Sequence, residues 1–168
     1  MLDKIMKPRS VALIGASTRA HTIGSDILKR LIEYGFTGPI YPVNPKGGEI
    51  EGLTVYPSVN DLPDNVDLAI IVINSAQVLD TIDQCHAKGV GGVVVISAGF
   101  KETGPEGAQL ERALAEKVKA YGMRCVGPNC LGVVNTHPSI RLDGCFAESL
   151  PQRGDIGFVS QSGALGCL

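Results

Sequence analysis

Small residues crowd one stretch of the chain, Gly15-Ala16-Ser17-Thr18-Arg19-Ala20, with Gly24 following closely. Gly15, Ala16, Ser17 and Gly24 would let an anion approach backbone N–H groups, and the hydroxyls of Ser17 and Thr18 add donors. That is the chemistry of a phosphate cradle at the start of a helix. A second stretch, Asn44-Pro45-Lys46 before Gly47-Gly48, sets a cation among turn formers. A third, Ser162-Gly163 in "SQSGAL", opens what reads as a helix and also suits a phosphate. It differs from a serine-hydrolase elbow, because the first glycine of GxSxG is lacking and no Asp–His partners follow. Groups for covalent or acid–base work are few. His21, His86 and His137 read as surface or loop histidines, and Cys130 has no histidine beside it in sequence to activate it. No carboxylate pair and no metal-ligand cluster appears, so neither a catalytic residue nor a metal site is expected in this chain.

The elements that must carry these residues alternate in kind. "SVALIGAS" reads as a buried strand entering a small-residue turn, and "SDILKRLIEYG" as an amphipathic helix ended by Gly35. "GPIYPVNP" is a second strand with prolines at its borders, and "VDLAIIVIN" is apolar enough to be covered on both faces of a parallel sheet. "SAQVLDTIDQCHAKG" follows as a helix with Ser75 as its N-cap and Gly89 as its stop. "GGVVVISAGF" is a further strand, "GAQLERALAEKVKAYG" a further helix, and "RCVGPNCLGVVN" a last strand and turn. Alternation of this kind predicts right-handed βαβ units, hence an α/β, Rossmann-like, doubly wound parallel sheet.

The last part of the chain has a different texture. Residues 136–153 lack periodicity and hold Pro138 and Pro151, so they read as a linker, mobile or crossing to a second domain. From 154 to 168, "GDIGFVSQSGALGCL" reads as the first strand and turn of a truncated second domain, stopping as a helix begins.

Composition narrows the partners. The apolar fraction is 44% and the net charge −2, with no Trp, four Phe and four Tyr, which offers neither a basic footprint nor a base-stacking surface for nucleic acid. The N-terminus is too short and charged for a signal peptide, and no apolar run reaches membrane-spanning length. Five cysteines, an odd number without a CxxC pair, fit reduced thiols. A cytoplasmic protein is expected, with no nucleic acid and no membrane as partner, and a homo-oligomer is compatible with this reading.

In doubly wound sheets ligands bind beyond the carboxyl ends of the strands. The turns to inspect are therefore "GASTRAHTIG", "NPKGG", "INSAQ" with Asn74, "ISAGF" with Ile96, Ser97, Ala98 and Gly99, and "GPNCLG". GxGxxG is absent, since Ser17 replaces its second glycine and Gly24 comes late. Dinucleotide sites place an acidic residue about twenty residues past the glycines, on the ribose hydroxyls. Here Lys46 stands in that region, which favours a ribose bearing a phosphate. Two ligands qualify: coenzyme A with its 3′-phosphate, or NADP with its 2′-phosphate.

Taken in order, "GAS", "NPKGG", "ISAGF", "VGPNCLGV" and "DIGFVSQSGAL" resemble the N-terminal part of the NDP-forming acyl-CoA synthetases, relatives of the succinyl-CoA synthetase α subunit. The resemblance implies a CoA-binding Rossmann-like domain over 1–135 and the start of a flavodoxin-like domain near Asp155. It implies that Ser17, Thr18, Arg19 and Ala20 line the CoA nucleotide, that Lys46 meets its phosphate, and that Ile96, Ser97 and Ala98 run beside the pantetheine. Where the succinyl-CoA enzymes carry a glutamate in this last turn, the chain has Ala98. The family reaction uses a phosphohistidine, which Ser162 and Gly163 would receive, and ATP or ADP with Mg bound by a separate ATP-grasp domain or subunit. Under this reading the complete enzyme converts acyl-CoA, NDP and phosphate to acid, CoA and NTP, and this chain alone binds CoA without turnover. Two alternatives stand beside it: a ligand-sensing module of a protein lysine acetyltransferase with the same domain array, and an NADP-dependent dehydrogenase domain.

Overall fold

The computed structural model describes residues 2–163. A short helix α1 (Asp3–Met6) precedes strand β1 (Val11–Ile14), helix α2 (Ile23–Glu33) and strand β2 (Ile40–Val43). A small hairpin of β3 (Glu49–Ile50) and β4 (Leu53–Thr54) leads to strand β5 (Leu68–Ile71), helix α3 (Val78–Ala87) and strand β6 (Gly92–Val95). Helix α4 (Pro105–Ala120), strand β7 (Arg124–Val126) and an antiparallel hairpin of β8 (Gly132–Asn135) and β9 (Leu142–Cys145) complete the order. Five strands form one parallel sheet, ordered β2-β1-β5-β6-β7. The order reverses between β1 and β5, so the ligand crevice of this fold class opens at their carboxyl ends.

The central strands are buried along their whole length because each face carries its own core. Ala12, Ile14, Ala69, Ile71, Val93 and Val95 point to one side, where Val78 and Ile82 of α3 and Leu114 and Val118 of α4 cover them. Their alternates Val11, Leu13, Leu68, Ile70 and Val94 point to the other side, against Ile27, Leu28 and Leu31 of α2. That second face is completed by Val133 of β8 and Leu142 of β9. A β-hairpin thus stands where a doubly wound sheet ordinarily places another helix.

Local details depart from the sequence reading in three places. Ser75 does not cap α3: Asn74 caps a 3₁₀ turn, Ser75–Gln77, by accepting from the Ala76 N–H at 2.9 Å, and the α-helix starts at Val78. The periodicity-free segment 136–153, which reads as a linker, contains β9, whose Leu142–Cys145 are all buried; only long-range packing makes this stretch a strand. Between 154 and 160 no strand forms among the described residues, and Ile156, Phe158 and Val159 lie exposed, because a strand needs a hydrogen-bonding neighbour and none is beside it here. The helix expected after Gly163, and Cys167, lie outside the described residues.

β9 is anchored by a buried ion pair. Arg30 Nη2 of α2 lies 2.8 Å from Asp143 Oδ2, with Asp143 fully buried, and the same Nη2 donates to the Ser149 carbonyl. Arg141 donates from Nε to the Tyr34 carbonyl at 2.7 Å and lies over the Tyr34 ring. Limited trypsin digestion is therefore expected to cut at exposed Arg153 well before Arg141, because cleavage needs an extended, unpaired backbone. First cuts at Arg141 would mean that β9 and its neighbours are not held as described.

Candidate functional site

The predicted turns collect at the carboxyl edge of the sheet, and two glycines make their packing possible. Gly15 ends β1 at φ +99°, and a Cβ there would stand 2.0 Å from the Val72 carbonyl oxygen. Gly24 lies in the first turn of α2, where a Cβ would stand 2.0 Å from the Gly15 carbonyl oxygen. The late glycine therefore serves close helix–loop approach, a role that the third glycine of GxGxxG has in dinucleotide folds.

Between them the loop is ordered by its own side chains. Ser17 Oγ accepts from the Arg19 N–H at 3.0 Å, and Thr22 caps α2 in a reciprocal capping box with Ser25. Thr18, Arg19 and Ala20 stay exposed, facing solvent above the helix start. Asn44 ties this loop to the next: its Nδ2 donates to the Ala16 carbonyl at 2.7 Å while its Oδ1 accepts from the Lys46 N–H at 2.9 Å. Pro45 and Lys46 are exposed, and Lys46 makes no ion pair among the described residues. A loop of small residues and an unpaired cation are thus joined by one side-chain amide.

Farther along the edge lies a cavity of about 750 Å³. Ile96, Ser97 and Ala98 form one wall and Ser162 and Gly163 another, so two separately predicted groups meet in one space. Ser97 is pinned: its Oγ accepts from the Ile73 N–H at 3.1 Å, and its carbonyl accepts from the Asn129 N–H at 3.0 Å. Gly99, at φ +102°, lies just beyond this wall. Asn74 does not line the cavity, and its Oδ1 is engaged by the Ala76 N–H.

Further lining residues were not among the predicted site residues. Asn129, Cys130 and Leu131 come from the "GPNCLG" turn, already marked as a strand-end turn, so topology could have added them. Ile23 stands at the start of α2. Phe146 had no sequence signal, because it follows β9 in the stretch that lacks periodicity.

Among the described residues no cysteine is an activated nucleophile. Burial raises the Cys130 thiol, and it pushes Cys85 and Cys125 up to about 12 and Cys145 to about 11. His21, His86 and His137 are exposed, with His86 stacked on Tyr121 at 3.9 Å. The sheet edge thus brings together hydroxyls, a lysine without an ion-pair partner among the described residues and a cavity of mixed polar and apolar lining, features that suit an extended anionic ligand.

Residues 9–136 match the family model of the CoA-binding domain. The chain belongs to this CoA-binding domain family. It is 48% identical over 163 residues to acetate–CoA ligase (ADP-forming) I of Archaeoglobus fulgidus, covering 97% of this chain and 23% of that protein. The α subunit of acetate–CoA ligase (ADP-forming) II from Pyrococcus furiosus is 46% identical, with 99% of this chain and 35% of the relative covered. Among solved structures, acetyl-coenzyme A synthetase 1 of Ca. Korarchaeum cryptofilum, in complex with phosphate and ADP, superposes with a TM-score of 0.92. It is 44% identical, and the match covers 99% of this chain and 35% of that one. The chain therefore spans about a quarter to a third of the length of these relatives, and it is a CoA-binding domain of the kind found in ADP-forming acyl-CoA synthetases. No helix among the described residues is long and apolar enough to cross a membrane.

Proposed function

We propose that the strand-end turns hold coenzyme A as one extended ligand. Its nucleotide lies over Gly15–Ala20 and Gly24, its 3′-phosphate meets Lys46 beside Asn44 and Pro45, and its pantetheine follows Ile96–Gly99 past Asn74. The thioester end then enters the cavity and faces Ser162 and Gly163, where a phosphoryl group would be received. The observation that carries this reading is the single cavity shared by Ile96–Ala98 and Ser162–Gly163.

The whole protein, on this reading, is a cytoplasmic ADP-forming acid–CoA ligase that interconverts acyl-CoA, ADP and phosphate with acid, CoA and ATP. Nucleotide and Mg would be held by an ATP-grasp domain or by a partner subunit, as the α-subunit relatives suggest. Residues from about 154 onward would begin a second domain, with the exposed Ile156, Phe158 and Val159 as apolar residues of a strand to be covered on both faces. The acetyltransferase reading gains no support from the relatives described above, and the CoA-binding family match weighs against an NADP dehydrogenase.

Titration calorimetry tests the ligand. The chain is expected to bind CoA and acyl-CoA in preference to NADP and NAD. In a coupled assay with acyl-CoA, ADP and phosphate it should form no acid. Preference for NADP over CoA would overturn the ligand assignment, and turnover by this chain alone would overturn the division of labour.

A further inference from the structure

The turn after β6 is held by a carboxylate that contributes nothing to the cavity wall. Gly99 and Phe100 both donate their backbone N–H to Glu102 Oε1, at 2.5 and 3.1 Å. No other acceptor among the described residues reaches these two groups. Glu102 is exposed and belongs to the 3₁₀ turn Lys101–Thr103, while neighbouring Lys101 turns to Glu111, with Nζ 3.2 Å from Oε1. Glu102 makes no ion pair among the described residues, and its geometry is that of an anion seated on two converging N–H groups.

The rest of the turn is fixed on either side of this contact. Ser97 is pinned through Ile73 and Asn129 as described, and the Phe100 carbonyl accepts from the Thr103 N–H at 2.9 Å and from Thr103 Oγ1 at 2.8 Å. Ala98 and Gly99 lie between these anchors. Gly99 is in the left-handed region at φ +102°, and a Cβ on it would stand 2.5 Å from Ser75 Oγ, so the backbone is pressed against the neighbouring turn. A glycine at such a position has other conformations open to it, and without an acceptor its N–H gives no reason to keep this one. Glu102 supplies that reason.

We propose that Glu102 is a positioning residue of the CoA site: by binding the Gly99 and Phe100 N–H groups it fixes the end of the Ile96–Ala98 wall along which the pantetheine arm runs. This rests on the CoA reading above. It deepens that reading by dividing the ligand in two, because the nucleotide end is held by Gly15–Ala20 and Lys46 on other turns. Glu102 therefore acts on the pantetheine arm and leaves the nucleotide end alone.

Calorimetry with CoA and with adenosine 3′,5′-bisphosphate, which lacks the pantetheine arm, separates the two ends. Glu102→Ala is expected to weaken CoA by about tenfold, while the bisphosphate stays within about twofold of wild type. Glu102→Gln should recover most of the CoA affinity, since one side-chain oxygen makes both contacts and an amide keeps it. Thermal melting of each variant reports whether the fold is intact, and an exposed residue is expected to leave it so. Equal losses for the two ligands, or unchanged CoA binding in Glu102→Ala, would overturn the proposal while leaving the CoA reading in place. Failure of the wild-type chain to bind CoA would overturn both.

Discussion

Asp143→Ala is expected to lower the unfolding free energy by about 3–5 kcal/mol, the usual cost of leaving one member of a buried ion pair unpaired. Asp143 is fully buried in β9, its Oδ2 lies 2.8 Å from Arg30 Nη2, and its Oδ1 accepts from Cys145 Sγ at 3.1 Å. The contact with Arg30 is close but poorly aligned, so neither Asp143 Oδ2 nor Arg30 Nε has a hydrogen-bond partner among the described residues. Attraction between charges, rather than hydrogen-bond direction, holds the pair. Removing the carboxylate leaves the Arg30 guanidinium, with 10% of its side chain exposed, without its counter-charge and with the Ser149 carbonyl as its remaining acceptor among the described residues. At this chain length the loss corresponds to a melting midpoint lowered by roughly 6–20 °C. Urea denaturation of wild type, Asp143→Ala, Arg30→Met and the double variant Arg30→Met with Asp143→Leu makes the test. The double variant should recover much of the loss, because apolar residues of similar volume often replace a buried pair at little cost. A loss below about 1 kcal/mol in Asp143→Ala would show that β9 is not anchored through this pair.

Lys46→Ala is expected to weaken CoA binding by roughly ten- to a hundredfold, on the order of 1.5–3 kcal/mol, and to leave dephospho-CoA almost unchanged. Lys46 is exposed and without an ion-pair partner among the described residues, yet Asn44 fixes its backbone N–H and ties that turn to Ala16. Its position is thus held while its charge is free for a ligand. Because the contact is exposed, salt should erode the preference for CoA over dephospho-CoA in wild type and should have little to erode in the variant. Lys46→Arg should keep part of the preference, since charge survives while geometry changes. Calorimetry at two salt concentrations reads all of these. Equal weakening of CoA and dephospho-CoA would move the lysine away from the phosphate.

The sequence by itself determined the class of fold and most of the sheet edge. Apolar runs such as Leu68–Ile71 and Gly92–Val95 can be buried on both faces only in a parallel sheet with crossovers, so local pattern and global layer agree. Strand-end turns were legible for the same reason: glycine and small residues at Gly15–Ala20 and Asn44–Gly48 interrupt the pattern where topology puts ligands. The tertiary structure alone decided three things. It made Leu142–Cys145 a strand, because a partner in β8 and a counter-charge on α2 outweigh the absence of periodicity. It brought Phe146 to the cavity, a consequence of that strand's position rather than of its neighbours in sequence. It also gave Gly24 and Glu102 their roles, since a helix start pressed against a carbonyl and a carboxylate seated on two N–H groups are contacts through space. Periodicity records which face of an element is buried, and such contacts leave no trace in it.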